Sequence, residues 1–188
     1  MTVNITSGWL DPVRRVPSPN YDARPPDVDI DLLVIHGISL PPGEFGGEWI
    51  DALFTNSLAG HAHASFADVC DMRVSAHLLI NRRGNVTQYV PFHSRAWHAG
   101  ESRFEGRPRC NDFSIGIELE GCDNVPYEPA QYLVLVKVID RLMRAYSGLS
   151  PGRIVGHSDI APDRKTDPGP AFDWRHLHSL LEAQKTII

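Results

Sequence analysis

Residues 153–170, RIVGHSDIAPDRKTDPGP, bring an imidazole, an ammonium and a carboxylate into one short segment: His157, Lys165 and Asp167. Imidazole nitrogen and carboxylate oxygen are ordinary zinc ligands, at about 2.0–2.2 Å, and catalytic zinc sites use three protein ligands and keep a position open for water. A histidine and an aspartate so placed also fit a plainer arrangement: a capping aspartate, a surface lysine and a hydrogen-bonded core histidine. Upstream residues weigh against it. The apolar run Leu32-Leu33-Val34-Ile35 ends in His36-Gly37, so a second histidine stands at the edge of a strand-like segment. In FSIGIELE, residues 113–120, Ile115, Ile117 and Leu119 alternate with Ser114, Gly116, Glu118 and Glu120. Two carboxylates and a glycine thus share one strand face, which meets either a polar cavity or water. If these segments converge, His36, His157 and Asp167 form a two-histidine, one-carboxylate zinc set. Glu118 is then free to take the proton from a water. Lys165 directs positive charge at the oxyanion formed when that water adds to an amide carbonyl.

Several elements must position these groups. Ile154-Val155 reads as the end of a buried strand, broken by Gly156. Pro162, Pro168 and Pro170 interrupt any helical period, so the segment after His157 is expected to be a stiff loop without a helix. Leu32 to Ile35 reads as a central strand covered on both faces. Val74–Ile80 and Val86–Val90 predict a hairpin turning at 81–85, with His77 as a core residue or a partner of a ligand. Trp49 to Phe54 has helical spacing, with Trp49, Ala52 and Leu53 on one side. The spacing from Glu128 to Tyr146 predicts a long amphipathic helix with a stripe of Tyr132, Leu135, Val136, Ile139, Leu142 and Met143. A last helix is expected from Phe172 or Asp173 to about Gln184. Residues 56–71 show no pattern and default to a mobile loop. Trp97 and His98 fall on a short irregular segment, where Trp97 is a core residue or a stacking platform for a sugar. The proline-rich residues 1–30 are expected to form an extended arm packed on the rest. Strands and helices alternate, which predicts an α/β class with the chemical groups gathered beyond one sheet edge.

At 188 residues the chain is expected to form a single domain, 1–188. The net charge is −5 and basic pairs are few, among them Arg14-Arg15 and Arg82-Arg83, which argues against nucleic acid or an anionic membrane as partner. The N-terminal MTVNITSGWLDPVRR lacks the pattern of a secretory signal, and no apolar segment approaches the roughly 20 residues that span a bilayer. Cys70, Cys110 and Cys122 are odd in number and lack C-x-x-C spacing, so neither a disulfide framework nor a cysteine zinc cluster is indicated. The expectation is a reducing cytoplasm. A cysteine hydrolase built on Cys110 or Cys122 finds no support in their spacing; both are expected to be buried structural thiols.

HGISLPPGEFGG, RVSAHLLI, VPFHSRAWHAG, RCNDFSIGIELEG and GHSDIAPDRKTDPGP together resemble the N-acetylmuramoyl-L-alanine amidases of the peptidoglycan-recognition-protein fold, and most closely their cytosolic branch. The resemblance runs through nearly the whole chain, including RRVPSPNYDARP, with five separated motifs in order. It implies a central mixed β-sheet flanked by helices. It also implies Zn2+ on His36, His157 and Asp167, with Glu118 as general base and Lys165 stabilising the oxyanion. Arg73, Trp97 and Arg109 fall in motifs that line the substrate groove of such relatives, where a guanidinium suits peptide carboxylates. The implied reaction is zinc-dependent hydrolysis of the amide between the lactyl group of 1,6-anhydro-N-acetylmuramic acid and L-alanine. The implied partner is therefore a small anhydro-muropeptide, the setting peptidoglycan recycling, and the protein a monomer. Gly37 departs from relatives that carry an amide or imidazole there, and Ser65 stands where an aromatic is frequent. Two other readings share the fold. A pure peptidoglycan receptor would not need Glu118 and Lys165, and a secreted wall-lytic amidase would usually carry an export signal.

Overall fold

The architecture follows from where the alternating residues of two seven-residue strands are buried. The computed structural model describes residues 1–185. We label the strands of its main sheet β1 (Arg14–Arg15), β2 (Leu32–Ile38), β3 (Leu78–Ile80), β4 (Val86–Gln88), β5 (Ser114–Glu120) and β6 (Ile154–Gly156). Their spatial order is β6-β2-β5-β3-β4-β1, with β3 and β4 antiparallel and the other neighbours parallel. The helices are α1 (Trp49–Phe54), α2 (Pro129–Ala145), α3 (His157–Ile160) and α4 (Trp174–Lys185). This is a single-domain α/β fold around a mixed sheet.

Leu33 and Ile35 of β2 join Ile115, Ile117 and Leu119 of β5 in the main core, against Leu135, Ile139 and Leu142 of α2 and Leu177 and Leu181 of α4. Leu32 and Val34 point the other way, into a smaller cluster with Ala99, Cys110, Phe113 and Ile160. His36 follows in that second set by the two-residue period. All seven residues of β5 are buried, so the face carrying Glu118 is not a solvated sheet face. Gln131 of α2 donates to the carbonyls of Ile80 and Glu120, tying the helix to the ends of two strands.

Three expectations need correction. Residues 157–160 do form a helical turn. It is complete before Pro162, and the Asp159 carboxylate accepts the Gly156 N–H at its start, so no proline lies inside it. In α1 the buried residues are Ile50, Leu53 and Phe54, while Trp49 is exposed. The N-terminal thirty residues are more than an arm. Arg14–Arg15 extends the sheet, Thr2–Asn4 pairs with Trp9–Asp11, and Tyr21–Ala23 pairs with Ser94–Ala96. Strands of two or three residues are too short to show a period. Residues 56–71 contain a 3-10 turn at Ala64–Phe66 that buries Phe66. No helix among the described residues is long and apolar enough to cross a membrane.

Candidate functional site

Register places the chemistry. Glu118 of β5 lies directly opposite His36 of β2, and Gly156 of β6 lies opposite Ile35. The next residue, His157, therefore leaves β6 beside His36. Three parallel strands thus release an imidazole, a carboxyl and a second imidazole at one edge. Asp167 arrives from the loop beyond α3, held where Ser158 N donates to the Asp167 carbonyl at 2.9 Å.

His36 Nδ1 lies 3.0 Å from His157 Nδ1, and Asp167 Oδ2 lies 3.1 Å from His157 Nδ1 and 3.2 Å from His36 Nδ1. The histidines are 1 % and 3 % exposed. Three donor atoms at the corners of so small a triangle match the edges of a tetrahedron around zinc, about 3.3 Å for ligands at about 2.0 Å. Among the described residues this is the one group of three or more His, Cys, Asp or Glu side chains placed to hold a metal ion. Burial pushes the His36 imidazole down to about 4, against the pull of Asp167, so it is neutral and has a lone pair to give. Asp167 is ionised: burial works against the charge, but its bonds to His157 and His36 prevail and hold it well below the usual carboxylate range.

Glu118 has a different character. Burial, and then the negative charge of Asp167, push its carboxyl well above the usual range, partly offset by Lys165. Its Oε2 is buried without a hydrogen-bond partner. An orphaned oxygen of that kind is expensive in a finished core and is expected where a reactant belongs. His36, Glu118, His157, Lys165 and Asp167 line one cleft of about 190 Å³, together with the apolar side chains of Val69, Met72 and Trp97 among others. Arg73 and Arg109 are not brought into this cleft. Both are exposed, Arg73 bonded to the Asp71 carbonyl and Arg109 paired with Asp112. No cysteine lines the cleft; Cys110 is buried, whereas Cys122 is only half-buried, contrary to expectation.

Two positions had signals in the sequence that could not be decoded there. Gly37 is bare because Tyr127 fills the space a side chain would take: a Cβ at residue 37 would lie 2.3 Å from the tyrosine oxygen, and one at Gly121 equally close to its ring. The Tyr127 hydroxyl passes between them and donates to the Pro168 carbonyl at 2.9 Å, next to Asp167. His98, expected only as part of an irregular segment, is buried against His36 with ring centroids 5.0 Å apart. His77 is a core residue as expected, accepting from Gly116 N and contacting Arg24.

A family model described as N-acetylmuramoyl-L-alanine amidase matches residues 26–170, a span that includes all five clustered residues. The 1,6-anhydro-N-acetylmuramyl-L-alanine amidase AmpD of Escherichia coli (strain K12) is 57% identical over 182 residues, 97% of this chain and 99% of that protein. A crystal structure of a selenomethionine derivative of AmpD superposes with a TM-score of 0.92 at 56% identity, covering 96% of this chain and 99% of the other. A complex of the N-acetylmuramyl-L-alanine amidase AmiD from E. coli with the substrate anhydro-N-acetylmuramic acid-L-Ala-D-gamma-Glu-L-Lys gives a TM-score of 0.59 at 31% identity. It covers 83% of this chain and 60% of the other.

Proposed function

The chain belongs to the N-acetylmuramoyl-L-alanine amidase family, and on that premise we propose that it cleaves the amide joining the lactyl group of 1,6-anhydro-N-acetylmuramic acid to L-alanine, with zinc as its cofactor. Its substrate is a small anhydro-muropeptide, handled by a monomer during recycling of cell-wall fragments in the cytoplasm. Support comes from the identity to AmpD along 97% of the chain and from the substrate bound in the AmiD complex. Three free cysteines suit a reducing compartment. The observation that carries the proposal is the triangle of His36 Nδ1, His157 Nδ1 and Asp167 Oδ2 beside the unpaired Glu118 oxygen.

Zinc held by those three atoms would supply Lewis acidity, acidifying water and polarising the scissile carbonyl. The chain's own groups account for the rest. Glu118, made more basic by its burial and by Asp167, takes the proton of the attacking water at Oε2 as the O–C bond forms. It passes that proton to the alanine nitrogen as the C–N bond breaks. Lys165 offsets the negative charge that develops on the carbonyl oxygen. The apolar wall with Trp97 and Met72 excludes water and offers a surface to the sugar ring.

Mass spectrometry of a purified anhydro-muropeptide incubated with the protein tests the activity. The expected products are the anhydro-sugar acid and a peptide with a free L-alanine amine. Chelation abolishes them and added zinc restores them; an intact substrate, or full turnover after exhaustive chelation, overturns the reading. Lys165→Ala is expected to lower the catalytic constant by about 10²–10³ while KM changes little, because the charge it answers exists only in the transition state. A near-normal catalytic constant would remove Lys165 from the mechanism.

A further inference from the structure

Both imidazoles of the triangle present Nδ1 to the shared point, so each must carry its proton on Nε2. For His157 the reason is direct. Its Nε2 lies 3.2 Å from the carbonyl of Ala99, a group that can only accept. For His36 the route is longer. Its Nε2 lies 2.9 Å from His98 Nδ1, His98 Nε2 lies 3.2 Å from Ser114 Oγ, and Ser114 Oγ lies 2.6 Å from the Cys110 carbonyl. The far end sets the direction. A hydroxyl 2.6 Å from a carbonyl oxygen must donate to it. Ser114 then accepts from His98 Nε2–H, which makes His98 Nδ1 the acceptor and obliges His36 to donate from Nε2. His36 Nδ1 is left with its lone pair free.

We propose that His98 is a positioning residue which, through Ser114 and the Cys110 carbonyl, fixes the Nε2–H tautomer of His36 and so readies Nδ1 for the metal. The inference rests on the zinc reading given above. The tautomer needs holding because Asp167 Oδ2, 3.2 Å from His36 Nδ1, attracts the same proton to the wrong nitrogen. The seat of His98 is built for the purpose. A Cβ at Gly116 would lie 2.5 Å from His98 Cγ, so glycine on that strand face lets the ring lie flat against β5. The Asn111 side-chain oxygen accepts from both His98 N, at 3.1 Å, and Ala99 N, at 2.8 Å. One buried amide thus fixes the short segment that orients both ligand imidazoles, His36 through the His98 ring and His157 through the Ala99 carbonyl.

The test uses the full chain and two readouts: zinc affinity by competition with a chromogenic chelator, and ring-nitrogen NMR of His36 in metal-free protein. His98→Leu is expected to weaken zinc binding about 10- to 100-fold, the usual effect of removing a ligand's outer partner. Its His36 proton should move from Nε2 to Nδ1, toward Asp167. His98→Asn keeps an oxygen acceptor near the lost Nδ1 and should recover most of the affinity. Ser114→Ala deletes only a hydroxyl, so it carries the test if His98→Leu does not fold; it should shift both readouts the same way by less. A folded His98→Leu or Ser114→Ala protein with parental zinc affinity and an unmoved His36 proton overturns the proposal. A parent chain that binds no zinc overturns the metal reading instead, and the ring-nitrogen spectra still decide the role of His98.

Discussion

His157→Ala is expected to leave the purified chain without stoichiometric zinc after dialysis and with turnover at background. The residue supplies one of three donor atoms, and its ring is held between the Ala99 carbonyl and Asp167. The loss of affinity should exceed the 10- to 100-fold typical of an outer partner. The replaced ring is 3 % exposed, so truncation also leaves a cavity, which is expected to cost stability as core truncations do. Metal analysis is therefore made on protein shown to be folded by circular dichroism. One zinc per chain in such a sample would refute the assignment of His157 as a ligand.

Glu118→Gln separates proton transfer from metal binding. Glutamine keeps the size of the side chain but cannot accept a proton at the position of Oε2, and loss of a general base typically lowers rate by about 10²–10⁴. Zinc should stay bound at one per chain, because Glu118 is not among the three donors of the triangle. The stability of the fold should hold or rise, since a buried carboxyl without a partner for one oxygen is costly to keep. A stabilised but slow enzyme is the signature of a group retained for chemistry. Near-normal turnover in the zinc-loaded variant would show that some other base serves.

Much of this was legible in the residues. The alternation of Ile115, Ile117 and Leu119 with Glu118 correctly separated the two faces of β5, and the helix stripe from Tyr132 to Leu142 is the buried face of α2. His36, His157 and Asp167 could be grouped because their side chains are zinc-ligand types, the two histidines stand beside glycines of apolar strands, and Asp167, ten residues after His157, precedes a proline. What could not be read depends on contacts between distant segments. Prolines marked 157–170 as non-helical, yet one turn fits ahead of Pro162. Arg73 and Arg109, which the resemblance places along a substrate groove, are exposed and do not line the cleft itself, although Met72 and Val74 on either side of Arg73 do. His98 gave no sign of its partnership, because Ser114 and Gly116 reach it from a strand whose visible pattern is apolar alternation.

The Tyr127 hydroxyl that passes between Gly37 and Gly121 matters to anyone who would redesign this protein. Viewed from the cleft, Gly37 is an empty place next to His36, an inviting spot for a side chain that would reach a new substrate. It is a keyhole, already occupied from behind. Any larger residue there would drive the tyrosine back and release the Pro168 carbonyl, and with it the carboxylate one residue earlier. Attempts to widen specificity at Gly37 would be scored as failures of recognition, although their real damage would be to the triangle of His36, His157 and Asp167. The safer ground for redesign is at Met72 and Val69, where the cleft is lined by side chains that hold nothing else in place by a hydrogen bond.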